Sequence, residues 1–508
     1  MHRKMHRGQQ TLLCQFNVIM AVFLIVHFLL LMTCLVNPPP KGDLPFHFDS
    51  LVPNGLSEFL FDPEKVLGAV AFWTACAVLT RPSSRVLMLL FSLLTTAYVV
   101  ASLPITPNHM VFVGILSLGI AVETLRSLLL RQDDEFAATE FCRNVLPVAR
   151  AGLILLYGLA VLHKLNQDYF KPEVSCGLKL YDSIATSAGF LPPTSTVNAG
   201  VVIAGSLLLE TGIPLLLLAA RTRFAGIILG TAFHSLLALH PNYMIASFSV
   251  LVVLLYGLFL PQNSVRVCRV IWRRRLFHAV PHRLKSYIGA LVAVAVVHIV
   301  WLADLIALTC DGWLDAFARR VVVGTALTSC FVVLAALASL YLMTRRPLEK
   351  HGFPTFFPRL GIPTLVLPLV VCNGLCPYLG LKTTTAFSMF SNIRTENGIS
   401  NHLFVPAFTQ IASYQRDLVT IRESSSPWLR ALAQRRDRLV HFEFQRFLEG
   451  QSHAADFHVT YEHRGRVLRI DRRAGSHPET IEPIGAITGR FLHFRPVRIE
   501  SEPCPCSW

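Results

Sequence analysis

Long apolar stretches, each ended by a short polar or charged break, dominate the first three quarters of the chain. About twenty apolar residues suffice to cross a bilayer as an α-helix. On that criterion the sequence predicts helices near 12–36, 64–80, 86–105, 109–130, 145–165, 198–219, 224–240, 243–260, 288–308, 321–343 and 360–381. That is about eleven spans, the second and seventh of them short for a full crossing. After residue 381 the pattern changes, and Arg, His, Glu and Asp become frequent. The segments Phe457-His458-Val459-Thr460-Tyr461 and Val467-Leu468-Arg469-Ile470 alternate apolar with polar residues, as half-buried strands do. His463-Arg464-Gly465 between them predicts a hairpin turn, and Trp428 to Leu448 reads as an amphipathic helix. The expected fold is an all-α polytopic membrane helical bundle over residues 1–381, followed by a small α+β soluble domain over 382–508.

Composition agrees with a lipid-facing surface. Of 508 residues 53% are hydrophobic and 15% charged, and mean hydropathy is +0.50. Soluble domains carry roughly 25% charged residues. The net charge of +15 would suggest nucleic acid in a soluble protein, but no nucleic-acid motif is present. The basic residues instead gather in alternate loops. Arg81 and Arg85, Arg131 and Arg143, Arg221 and Arg223, the block from Arg266 to Lys285, and Arg345, Arg346 and Lys350 fall on one side. Asp43, Asp49, Glu58, Asp62 and Glu64, then Asp168, Glu173 and Asp182, fall on the other. The positive-inside rule then places the N-terminus in the cytoplasm and the C-terminal domain outside it. The apolar run from Thr11 to Val36 exceeds a signal-peptide core and reads as a retained first helix. Cys176, Cys504 and Cys506 fall on the outer side, where disulfides are permitted.

Ionisable residues inside apolar helices are costly and therefore mark function first. Glu123, Arg126, Arg150, Lys164, Glu210, His234, His298 and Asp304 are such residues. Arg150, Tyr157 and Lys164 recur every seven positions, which returns nearly to one helical face. Glu210 and His234 are expected at similar depth, where they either pair in a site or tie two helices together. Glu123 and Arg150 are expected to form a structural ion pair. Walker, dinucleotide, zinc-protease and nucleophile-elbow motifs are absent, and no metal-ligand cluster is evident from spacing.

The run Tyr157-Gly158-Leu159-Ala160-Val161-Leu162-His163-Lys164-Leu165-Asn166-Gln167-Asp168-Tyr169 resembles the lysine motif of the HTTM family, membrane proteins related to vitamin K-dependent gamma-glutamyl carboxylase. The likeness extends through Ser206-Leu207-Leu208-Leu209-Glu210, Phe233-His234-Ser235 and Ser247-Phe248-Ser249. His163 stands where the carboxylase has a second lysine, and Asn166 where it has an aspartate. The block from Cys376 through Phe387-Ser388-Met389-Phe390-Ser391-Asn392 to Glu396, then Ser400-Asn401-His402, resembles bacterial members and is expected at the outer mouth of the bundle. The resemblance implies a bacterial plasma-membrane protein with a quinol-dependent oxygenase or carboxylase activity. Lys164 would be the base, Glu210 and His234 its catalytic companions, and Tyr157 and His163 residues that hold the cofactor. The implied cofactor is a reduced vitamin K-type quinone, with O2 and CO2 as co-substrates and no metal. A secreted protein or peptide is the implied acceptor, and the bilayer the other partner. An amine held in low dielectric favours its neutral, basic form, which suits such a role. A non-enzymatic scaffold, a lipid-binding protein and a transporter remain alternatives on the same residues.

Overall fold

The computed structural model describes residues 2–36, 63–188, 191–260, 358, 361–451, 456–471, 484–498, 503–504 and 506. The spans expected at 288–308 and 321–343, the basic block 266–285, His298, Asp304 and the acidic loop before Pro63 lie outside the described residues.

Among the described residues ten α-helices precede the C-terminal region: α1 (His2–Val36), α2 (Pro63–Thr80), α3 (Arg85–Ala101), α4 (Asn108–Leu129), α5 (Asp134–Lys164), α6 (Cys176–Ala188), α7 (Ala199–Leu218), α8 (Arg223–Leu237), α9 (Tyr243–Tyr256) and α10 (Val366–Leu375). Polar caps set several boundaries by satisfying the first free N–H groups. Ser84 accepts from Leu87 N, Asp133 from Phe136 N, Asn198 from Val201 N and Asn242 from Met244 N. The Asp133 cap and the acidic first turn of α5 start that helix eleven residues before the apolar run expected at 145. Among the described residues α4, α5 and α7 are long and apolar enough to cross a membrane. Arg85–Ala101, Arg223–Leu237 and Ile362–Leu375 are apolar but shorter. Helix α6 lies in a stretch that hydropathy leaves as an outer loop.

Helix α5 is central and packs against α1, α4, α7 and α10. Phe16, Met20, Phe23, Phe112, Leu153 and Leu156 fill the core, which also takes in Phe387 from the chain after α10. Gly374 lets α10 approach α5, because a Cβ there would lie 2.5 Å from Leu159 Cδ1.

The chain after α10 forms an irregular strap over the end of α5. Thr385, Phe387, Phe390 and Asn392 all have positive φ. Specific bonds hold these otherwise disfavoured conformations. Phe387 N donates to Asn108 Oδ1 at 2.7 Å, and Cys176 N donates to Asn392 Oδ1 at 2.7 Å. Asn392 Nδ2 donates to Val174 O and Cys504 O, each at 2.9 Å. Cys176 and Cys506 form a disulfide that joins α6 to the end of the chain.

A five-stranded, fully antiparallel sheet follows: β1 (Leu418–Ser424), β2 (Asp437–Val440), β3 (His458–His463), β4 (Arg466–Asp471) and β5 (Val497–Arg498), in the order β4-β3-β1-β2-β5. The expected hairpin is β3–β4, and its two turn residues, Arg464 and Gly465, both have positive φ, as a tight hairpin turn requires. The helix expected over Trp428–Leu448 is instead divided into α11 (Pro427–Arg435), strand β2 and α12 (His441–Gly450). Arg436 ends α11 in the left-handed region, and Leu439 and Val440 enter the sheet. Leu429, Leu432, Phe444 and Phe447 pack with Val419, Ile421, Val459 and Tyr461 in a second core. A short helix α13 (Ala486–Phe491) reaches the bundle, where Arg490 Nη1 donates to Val100 O and Ala101 O at the end of α3.

Candidate functional site

Tyr157 and Lys164 lie on one face of α5, as their spacing predicts, and both are buried. That face borders a cavity of about 310 Å³. Lys164, Glu210, Tyr157 and His234 all line it. Their pairing differs from the expected Glu210–His234 contact. Lys164 Nζ donates to Glu210 Oε2 in a buried ion pair between α5 and α7. Tyr157 OH lies 2.6 Å from His234 Nε2 and 2.5 Å from Tyr256 OH. His234 Nδ1 has no hydrogen-bond partner among the described residues. The polar groups thus form two adjacent units, an amine–carboxylate pair and a hydroxyl–imidazole–hydroxyl chain.

The rest of the wall is largely apolar. Leu156, Ala160, Phe233, Leu237, Met244, Ile245 and Phe248 come from the helices, and Met389 and Phe390 from the strap. Thr384, Thr385, His493 and Arg495 supply polar wall from the chain beyond the bundle. Arg495 Nε donates to Glu396 Oε1 at 3.3 Å. Burial opposes the charge of Arg495, yet Glu396 keeps its guanidinium above the ordinary range. The strap therefore borders the cavity, beside the C-terminal end of α5.

His163 lies outside this cavity. Its ring stacks on Tyr378, with Nδ1 3.0 Å from Tyr378 OH and Nε2 3.2 Å from Ala386 O. Neighbours on a helix point about 100° apart, so His163 and Lys164 serve different surroundings. Asn166 is structural as well. It donates to His163 O and Ser391 O and accepts from Tyr169 N, which fastens the strap to the end of α5.

The expected Glu123–Arg150 pair does not form. Glu123 pairs with Arg126 one turn along α4, at 2.7 Å, and accepts from Asn144 at 3.2 Å. Arg150 Nε donates to Leu146 O at 3.2 Å.

Sequence reasoning missed several residues near the site. Ser247 Oγ lies 2.9 Å from His27 Nδ1 and 3.0 Å from His109 Nε2, and His109 lines the cavity. Both histidines interrupt apolar runs, and that interruption was the available signal. Tyr256, His493 and Arg495 carry no local motif, and tertiary packing alone places them.

Fold and site together define a mainly helical protein with membrane-length apolar helices, a small antiparallel sheet and a cavity lined by a buried amine–carboxylate pair. Comparison with known proteins adds no assignment, since no family model, curated protein or solved structure matches the chain.

Proposed function

We propose that this chain is a polytopic membrane enzyme of the HTTM type, in which Lys164 acts as the base toward a reduced, lipid-soluble quinone. The observation behind this reading is the convergence of Lys164, Glu210, Tyr157 and His234 on one largely apolar cavity. A lysine that only snorkelled would extend to the interface. This one is 5% exposed and faces a carboxylate that is 10% exposed.

The residues present fit such a substrate. Phe233, Phe248, Met389 and Phe390 offer aromatic and thioether surface to a flat apolar ring system. Lys164, Glu210 and Tyr157 offer proton-exchanging groups to its hydroxyls. Glu210 holds the Lys164 amine against the cavity wall, where the amine in its neutral form would accept a proton from a quinol hydroxyl as a general base. Tyr256 and His234 orient the Tyr157 hydroxyl from two directions and restrict its rotation. With O2 the quinol supplies the oxidative, base-generating chemistry, and CO2 is the carboxylating co-substrate when an acceptor peptide is present.

The same reading places the strap, the sheet and the Cys176–Cys506 disulfide on the non-cytoplasmic side of a bacterial plasma membrane. A disulfide persists in an oxidising compartment, which supports that orientation. The alternative is a non-enzymatic scaffold, in which the Lys164–Glu210 pair only ties α5 to α7. The test is oxygen-dependent consumption of a reduced naphthoquinone by the purified chain in detergent. Lys164→Ala is expected to abolish turnover while the protein still inserts and folds. Undiminished turnover in that variant removes the proposal, and a wild-type chain with no turnover supports the scaffold.

A further inference from the structure

A second cluster of reactive side chains stands at one edge of the sheet, apart from the quinol cavity. Asp417 immediately precedes β1, His441 opens α12 directly after β2, and His463 ends β3. Strand register brings these distant positions together. Val419 lies opposite His463, Leu418 lies opposite Val440, and His441 N donates to Asp417 O at 2.7 Å. The Asp417 carboxylate lies between two imidazoles, with Oδ1 2.8 Å from His463 Nε2 and Oδ2 3.5 Å from His441 Nδ1. The two rings stack with centroids 4.1 Å apart. One ligand atom from each residue lies within 4.8 Å of the other two.

We propose that Asp417, His441 and His463 form a binding site for one divalent transition-metal ion of the zinc class. Two imidazoles and one carboxylate suit zinc and its neighbours, whereas calcium and magnesium prefer oxygen ligands throughout. Zinc holds nitrogen and oxygen ligands at about 2.0–2.2 Å, so its ligand atoms lie roughly 3.4 Å apart in a tetrahedron. The β3-β1-β2 ladder fixes the three backbones, and binding requires the two stacked rings to turn so that one nitrogen of each faces the ion beside the Asp417 carboxylate. Three protein ligands leave a fourth position for water or for a ligand from a partner.

Arg464 gives the site its distinguishing property. Its Nε and Nη2 donate to Asp417 Oδ1 and Oδ2 at 3.2 and 2.9 Å, from a side chain that is 74% exposed on the β3–β4 turn. The guanidinium occupies the same oxygens that an ion would use. Metal binding therefore displaces Arg464, which swings into solvent. In a purely structural ion pair Arg464 would strengthen the cluster, whereas here it competes with the ion.

The test uses the full chain, purified in detergent through a histidine-free tag and stripped with chelator, then titrated with Co2+ and competed with Zn2+. One equivalent of Co2+ should bind and give the visible absorption of a low-coordinate nitrogen–oxygen site. Asp417→Asn and His463→Gln should each weaken binding by more than about tenfold, since altering even a group that only supports a ligand costs about 10–100-fold. Arg464→Ala should tighten it. The proposal is overturned if the wild-type chain binds no more Co2+ than a folded His441→Gln/His463→Gln double variant. It is equally overturned if Arg464→Ala weakens binding. Thermal melts of each variant separate loss of the ion from loss of the fold. Neither outcome depends on quinol turnover.

Discussion

At the residue scale, a lysine near the end of an apolar helix has two destinations, the interface or the interior. Lys164 takes the interior because Glu210 on α7 meets it there. Removing one partner of a buried pair leaves an uncompensated charge, so Glu210→Ala should cost about 3–5 kcal/mol of stability. The double variant Lys164→Met/Glu210→Leu should recover most of that stability in thermal melts without recovering quinol turnover. Full recovery of turnover would show that the pair has only a structural role. Gly230 makes a different demand. A Cβ there would lie 2.3 Å from the Tyr256 hydroxyl, and Tyr256 is buried. Gly230→Ala should displace that ring, break its bond to Tyr157 and cost about 1–3 kcal/mol, measurable as a lowered Tm together with slower turnover. The polar face of α5 was legible from the seven-residue spacing of Tyr157 and Lys164. His163 leaves the cavity because its ring turns about 100° from Lys164 and stacks on Tyr378, a tertiary contact that local sequence does not announce. The actual partners of Glu210 and His234 depend on helix rotation, which composition does not specify.

At the element scale, apolar runs located the described bundle helices well, because burial in lipid or core demands them. They located ends poorly where capping decided, as at Asp133. They also could not reveal α6, whose polar residues resemble a loop. In the C-terminal region Trp428–Leu448 has helical spacing at each end, but the sheet takes the middle, a tertiary override of local preference. The Asp417–His441–His463 cluster was hidden for the same reason, since strand pairing and not sequence spacing assembles it. Lys382, in the strap just beyond α10, allows a pH test of this region. Burial pushes its ammonium down to about 8, while Thr385 accepts from it at 3.2 Å and the Phe491 ring lies 4.6 Å away. An unfolded lysine titrates near 10.4. Between about pH 8 and 10.4 the unfolded chain binds more protons than the folded one, so this group makes stability rise with pH across that window. Denaturant melts of Lys382→Met should lack that increment relative to the wild type. Parallel profiles for the two proteins would show that Lys382 is not buried in its charged form.

At the scale of the whole molecule, the strap, the disulfide and α13 join the sheet to the helices. Asp168 accepts from Asn401 Nδ2 at 2.9 Å and from Cys504 N at 3.0 Å, and Cys506 is bonded to Cys176. Removing a native disulfide typically costs about 2–5 kcal/mol. Cys176→Ser should lower the Tm by a corresponding amount. In intact cells, after mild reduction, a membrane-impermeant thiol reagent should reach Cys506 from outside. Labelling only after permeabilisation would reverse the proposed orientation. The central claim is that the cavity beside Lys164 receives a lipid-soluble quinone. The most direct measurement is photo-crosslinking of the membrane-embedded chain with an azido-naphthoquinone, mapped by mass spectrometry. Label is expected on α8 and α9 around Phe233, Met244 and Phe248, with protection by excess unmodified naphthoquinone. Label confined to other surfaces, or label that excess naphthoquinone does not suppress, would contradict that claim.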